Sequence, residues 1–316
     1  MDAQPVHLIA PVHPIDHTET AMPFRRGTAL PTSTTLGYAD GSDLGPTAGN
    51  GFFARWPDDL ATLQELGVTD VRLTLDWARL QPAPDRLDEG WAERFGQMIV
   101  AADAIGLRVW ATLHDGSIPR WFDNEGGLGD AEAFTRWWPR WVELAAEEFG
   151  DGVHGWVPFA EIPLDAPTQP WRDTWGILAG VHPVVASLGP DDGTFERYDG
   201  SLDALGLVLP TEWERDGTVG VRELDAAAEH WGRRLRDAAD AVDAPVVVSQ
   251  FSPFHDDADT SGEIVGRLIG SLDDAIADGV RLDVCFIEPG ISAPDSPGGL
   301  LDGDRSPTPA AERYLA

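Results

Sequence analysis

Trp156-Val157-Pro158-Phe159-Ala160-Glu161-Ile162-Pro163 is a short aromatic and β-branched run that ends in a carboxylate and then a proline. Such side chains favour a strand, and the proline stops it. Working outward, the same kind of run recurs along the chain. Arg26 to Leu30 reads as a weak first strand, and Val71-Arg72-Leu73-Thr74-Leu75 as a second that runs into Asp76-Trp77. Arg108 to Leu113 ends at His114, Leu202 to Leu209 forms a later strand, and Pro245-Val246-Val247-Val248-Ser249-Gln250 ends in an amide. Val284 to Ile287 is the last strand, followed by Glu288.

Amphipathic helices fill the intervals. Asp58 is placed to cap a helix whose Leu60, Leu63 and Leu66 share a face, and Gly67 ends it. Trp91, Phe95, Ile99 and Ala102 mark a second helix, and residues 131–149, 223–242 and 263–278 carry three more. Repeated βα units of this spacing predict a parallel sheet with helices outside it. Seven or eight strands predict a closed (β/α)8 TIM barrel in a single domain. The fifth unit, within residues 165–200, reads as weak or missing, because Pro183 and Gly189 interrupt a possible helix from Trp171 to Leu188. Residues 1–23 show no period and read as an irregular arm, which leaves 24–316 for the barrel.

Composition narrows the function. The chain has 54 acidic residues against 22 basic ones, a formal charge of −32, and every basic residue is Arg. Without a single Lys, Schiff-base and P-loop lysine chemistry are excluded. So acidic a surface repels nucleic acid and anionic membranes, and neither is expected as a partner. Thirteen Trp supply either core packing or platforms for sugars. Cys285, the only cysteine, lies in a buried-strand pattern and reads as a core residue. The first residues lack a signal-peptide pattern and no window reaches transmembrane length, so a cytoplasmic protein is expected. His255-Asp256-Asp257 with Asp259 reads as a solvated acidic loop, and no metal or cofactor is expected.

Several segments in order are similar to glycoside hydrolase family 1, the β-glucosidase family. They are Trp56-Pro57-Asp58-Asp59-Leu60, Leu66-Gly67-Val68 and Leu75-Asp76-Trp77-Ala78-Arg79-Leu80-Gln81-Pro82, then Thr112-Leu113-His114-Asp115 with Pro119-Arg120-Trp121-Phe122. Gly150-Asp151 with Phe159-Ala160-Glu161, Ala275 to Val280 and Arg305 to Pro309 complete the set. The resemblance implies that Glu161 is the acid/base and that Arg79 lies beside the nucleophile. It also implies that His114, Trp77 and Trp121 serve the bound sugar.

The departures bear on the chemistry. Gln250 fills the nucleophile position, Ala160 replaces the asparagine before the acid/base, and Leu209-Pro210 replaces a supporting tyrosine. Thr34, Thr35 or Leu36 stands near the place of a sugar-binding glutamine, and Glu288 falls where the family has a tryptophan. A retaining glycosidase needs two carboxyl groups roughly 5–5.5 Å apart, and an amide cannot attack as an anion. Three readings follow. The first is recognition of a β-glycoside or small polyol with weak or non-standard hydrolysis. The second is a non-catalytic barrel that binds a sugar or a protein partner. The third is an inverting or water-adding enzyme built on Glu161 and Glu288. With no anion at Gln250 to repel its charge, Glu161 is expected to be ionised at neutral pH. The sugar, the linkage and the oligomeric state stay open.

Overall fold

The computed structural model of the chain describes residues 23–37, 48–162, 168–211, 213–293 and 296–316. The arm expected over 1–23 lies almost wholly outside these residues. Eight parallel strands form one sheet: β1 Arg25–Leu30, β2 Asp70–Thr74, β3 Arg108–His114, β4 Gly155–Phe159, β5 Val185–Leu188, β6 Ala204–Leu209, β7 Val246–Phe251 and β8 Leu282–Ile287. The sheet runs β4-β3-β2-β1-β8-β7-β6-β5, so the first strand lies beside the last. Its two free edges, β4 and β5, meet through isolated bridges between Trp156 and Val184 and between Ile162 and Leu188. The result is a nearly closed (β/α)8 barrel.

The fifth unit is therefore present. Its strand has only four residues, which is too short to show a period, and a 3-10 turn at Phe195–Tyr198 stands where the following helix would be. The other long helices are α1 Phe52–Glu65, α2 Glu89–Ala104, α3 Ala131–Phe149, α4 Thr168–Leu178, α5 Val221–Ala241 and α6 Ala258–Ala277, with α7 Pro309–Tyr314 at the end. Among the described residues, none is long and apolar enough to cross a membrane.

Two helix starts differ from the sequence reading. α1 begins at Phe52, not after Asp58, because Phe52 and Phe53 are both buried and Asn50 accepts a hydrogen bond from the Phe52 N–H at 3.1 Å. Pro57 sits inside its first turns. α6 begins at Ala258, where Asp257 caps the Thr260 N–H at 2.8 Å. That cap, the Arg215–Asp256 ion pair and the His255 bond to the Gly217 carbonyl occupy the acidic loop.

The barrel interior is plugged by Trp110, Val157, Val185, Ala204, Val247, Val284 and Phe286. Gly27 and Gly155 carry no side chain where the rings of Phe286 and Trp110 fill that space. A second, larger core lies between sheet and helices, where Trp77 stacks on Trp141 at 5.7 Å and Trp138 on Phe159 at 4.4 Å. Cys285 is fully buried, and burial pushes its thiol up to about 12, as befits an inert core residue. Tyr314 on α7 ties the first strand to the last: its hydroxyl bonds the Gly27 and Cys285 carbonyls.

Candidate active site

A cavity of about 290 Å³ opens at the C-terminal ends of the strands. Pro31 and Ser33 follow β1, His114, Asp115 and Gly116 end β3, Ala160 and Glu161 follow β4, Gln250 lies on β7 and Glu288 follows β8. In parallel barrels this face carries the chemistry. Glu161, Gln250, Glu288 and His114, all chosen at strand ends, thus share one cavity.

Local irregularity aims Gln250. The pairing of β6 with β7 passes from Leu207–Val248 to Val208–Gln250, skipping Ser249. Such a bulge lets two successive side chains reach the inside. Ser249 is buried against Ser187, with hydroxyl oxygens 2.6 Å apart, while Gln250 faces the cavity. The Gln250 amide donates to Glu288 Oε1 at 3.2 Å, and the Arg72 guanidinium donates to Glu288 Oε2. Burial pushes the Glu288 carboxyl above its ordinary value, Arg72 opposes that, and Asp115 adds to it.

Glu161 is more exposed and leans over Gly189, where any Cβ would overlap its carboxylate. Arg234, reaching in from α5, donates to the Gly189 and Asp192 carbonyls and so fixes the loop beneath Glu161. Burial and the Asp191 charge raise the Glu161 pKa, against a smaller pull downward from Arg234. Desolvation and Asp191 thus push Glu161 toward its protonated form, the direction in which an anion on β7 would have pushed it. Burial also lowers the His114 pKa, which favours the neutral ring.

Arg79, Trp77 and Trp121 do not line the cavity. Arg79 pairs with Asp76 behind it, and Asp76 also accepts from the Ser117 hydroxyl at 2.9 Å. Trp77 is 1% exposed and donates to Gln81 Oε1 at 2.7 Å, while Trp121 donates to the Gln81 carbonyl at 2.8 Å. Thr34 and Thr35 bond the Pro31 carbonyl in a buried turn, which leaves Ser33 to face the cavity. The residues missed at the sequence level are Arg72, Gly189 and Arg234. A charged residue inside an apolar strand was the available signal for Arg72, since such a group needs a buried partner.

Residues 38–169 match the model of Glycosyl hydrolase family 1. Beta-glucosidase A of Thermotoga maritima is 26% identical over 152 residues, which cover 48% of this chain and 32% of that protein. The cytosolic beta-glucosidase of Homo sapiens is 25% identical over 113 residues, 35% of this chain and 24% of that protein. These matches span about a third or less of the curated relatives' length. In fold, the chain is similar to a beta-glycosidase from Pyrococcus horikoshii, with a TM-score of 0.75, 15% identity and 93% of both chains covered. Residues 38–169 are thus similar to glycosyl hydrolase family 1, and the barrel as a whole shares its fold with a solved beta-glycosidase.

Proposed function

We propose that the cavity binds a small β-glycoside and hydrolyses its O-glycosidic bond with Glu161 and Glu288, not with a residue on β7. The observation that carries this reading is the placement of both carboxyl groups in one cavity with Gln250 bonded to Glu288. Their surroundings divide the roles. Burial raises the pKa of both carboxyl groups; Glu288 is the one bonded to an arginine, Arg72, which opposes that rise and suits the base, while Asp191 adds to the rise at Glu161, which suits the acid. Glu161 would give its proton to the leaving oxygen as the bond from that oxygen to the anomeric carbon breaks. A water oxygen would bond to that carbon, and Glu288 would take the water's proton. Proton return through solvent restores both groups, and the configuration inverts.

Hydrolysis of 4-nitrophenyl β-D-glucoside, with the first-formed anomer followed by proton NMR, tests this. Expected is slow turnover with inversion, lost by on the order of 10³-fold in Glu161→Gln and likewise lost in Glu288→Gln. Retention of configuration, or wild-type turnover in either variant, would overturn it. One feature favours the second reading, a barrel that binds a sugar or protein partner without turnover: among the described residues no Phe, Tyr or Trp lines the cavity to give a pyranose a stacking face. Glucoside binding by calorimetry with no hydrolysis in the wild type would establish that reading instead.

A further inference from the structure

We propose that Gln250 and Arg72 are positioning residues that hold Glu288 in the cavity, so that the carboxylate expected on β7 is supplied from the end of β8. The inference rests on the hydrolytic reading above and extends it to two residues that touch Glu288 and need not touch substrate.

The two partners grip the carboxylate from opposite sides of β8 in the ring. Gln250 lies on β7, and Arg72 is on β2, across β1 from the end of β8. Each oxygen of Glu288 therefore has its own donor, which fixes the rotation of the group as well as its place. The bulge at Ser249 is what turns Gln250 toward Glu288. Arg72 is 2% exposed, and Glu288 is its carboxylate partner among the described residues. Among the described residues its Nε and Nη1 have no hydrogen-bond partner, so the Glu288 contact is the main electrostatic compensation they offer this guanidinium.

An amide at position 250 also does what a carboxylate there could not. The charged and titratable groups facing Glu288 are Arg72 from β2, Asp115 from the end of β3, and His114 and Glu161 across the cavity. Asp115 already disfavours a second negative charge. A carboxylate 3.2 Å from Glu288 Oε1 would share one proton with it, as close acid pairs do. Gln250→Glu, which would restore the residue type expected from the family resemblance, is therefore harmful here: it exchanges a donor for a competing acceptor.

The full chain carrying Gln250→Met, Gln250→Glu or Arg72→Lys is compared with wild type and Glu288→Gln. Each is measured for kcat and KM on 4-nitrophenyl β-D-glucoside across pH, and the Glu288 carboxyl is titrated by carbon-13 NMR. Both Gln250 variants are expected to lose on the order of 10²-fold in kcat with little change in KM. The Glu288 midpoint should rise in Gln250→Met and rise further in Gln250→Glu, carrying the pH profile upward with it. Arg72→Lys, which keeps the charge without the planar fork, should lose less than either. A Gln250→Met protein with wild-type kcat and an unmoved Glu288 midpoint would overturn the inference, as would a gain of activity in Gln250→Glu. Loss of activity in Glu288→Gln beside such a result leaves the hydrolytic reading intact, whereas wild-type activity in Glu288→Gln removes that reading itself. The titration decides the positioning role even if the glucoside turns over too slowly to follow.

Discussion

Asp70 and Glu288 are carboxylates at opposite ends of the same barrel interior, and they are held in opposite ways. Asp70, at the N-terminal end, accepts from Arg25 Nη1 at 2.8 Å, Arg108 Nε at 3.1 Å and Nη2 at 2.9 Å, Trp110 Nε1 at 2.8 Å and Thr69 Oγ1 at 2.7 Å. Burial alone would raise its pKa, but these donors outweigh burial and hold it below the usual carboxylate range. Glu288 has two donors, and there burial wins. A saturated carboxylate is a structural tie; an under-saturated one is available for proton transfer. The difference matches what the two faces of such barrels do, stability below and chemistry above.

The largest effect on stability is expected at the saturated end. Asp70→Asn removes the charge that Arg108 and Arg25 share, at a cost of about 2 kcal/mol in urea unfolding, while the rate per folded molecule stays near wild type. The two ends should also titrate with opposite sign. Asp70 has a lowered folded pKa, so its stabilisation is present above the unfolded value of about 3.9 and is lost as pH falls through the folded one. Glu288 has a raised folded pKa, so its contribution is present below about 4.3 and is lost as pH rises through the folded value. Melting temperature against pH should therefore flatten below about 3.9 in Asp70→Asn and in the range that begins above about 4.3 in Glu288→Gln. Identical profiles for the two variants would erase the contrast.

Smaller effects sharpen it. Gly189→Ala places a methyl group where the Glu161 carboxylate lies; kcat should fall about tenfold with the melting temperature nearly unchanged. A rate equal to wild type would mean that Glu161 works from another position. Trp121→Phe removes only the bond to the Gln81 carbonyl and should cost about 1 kcal/mol of stability, with KM unaltered. A raised KM would return Trp121 to the binding site.

These contrasts also show what could be read from residues alone. Strand ends were legible because a polar residue closing an apolar run is a local pattern, which is how Glu161, Gln250, His114 and Glu288 were found together. β5 was not, since Val185–Leu188 is a single turn's length of chain between a proline and a glycine. The tryptophans misled for a different reason: Trp77 and Trp121 have the chemistry of a sugar platform, but only tertiary packing decides whether a ring faces solvent or Trp141. Arg72 and Arg79 flank one motif, and neither spacing nor charge distinguishes the one that pairs with Asp76 from the one that reaches Glu288.

Seven of the eight strand junctions are parallel ladders, two of them bulged, and the one between β4 and β5 is held by isolated bridges. A ring with one weak joint breathes there first, so backbone amides of β4 and β5 should exchange with deuterium sooner than those of β1 or β8. Glu161 lies on that joint, between the bridged residues Trp156 and Ile162, while Glu288 follows a strand deep in the continuous part. A glycoside held between the two carboxyl groups would tie one side of that joint, β4, to β8 in the laddered part of the ring, and its binding would be recorded as slowed exchange along β4.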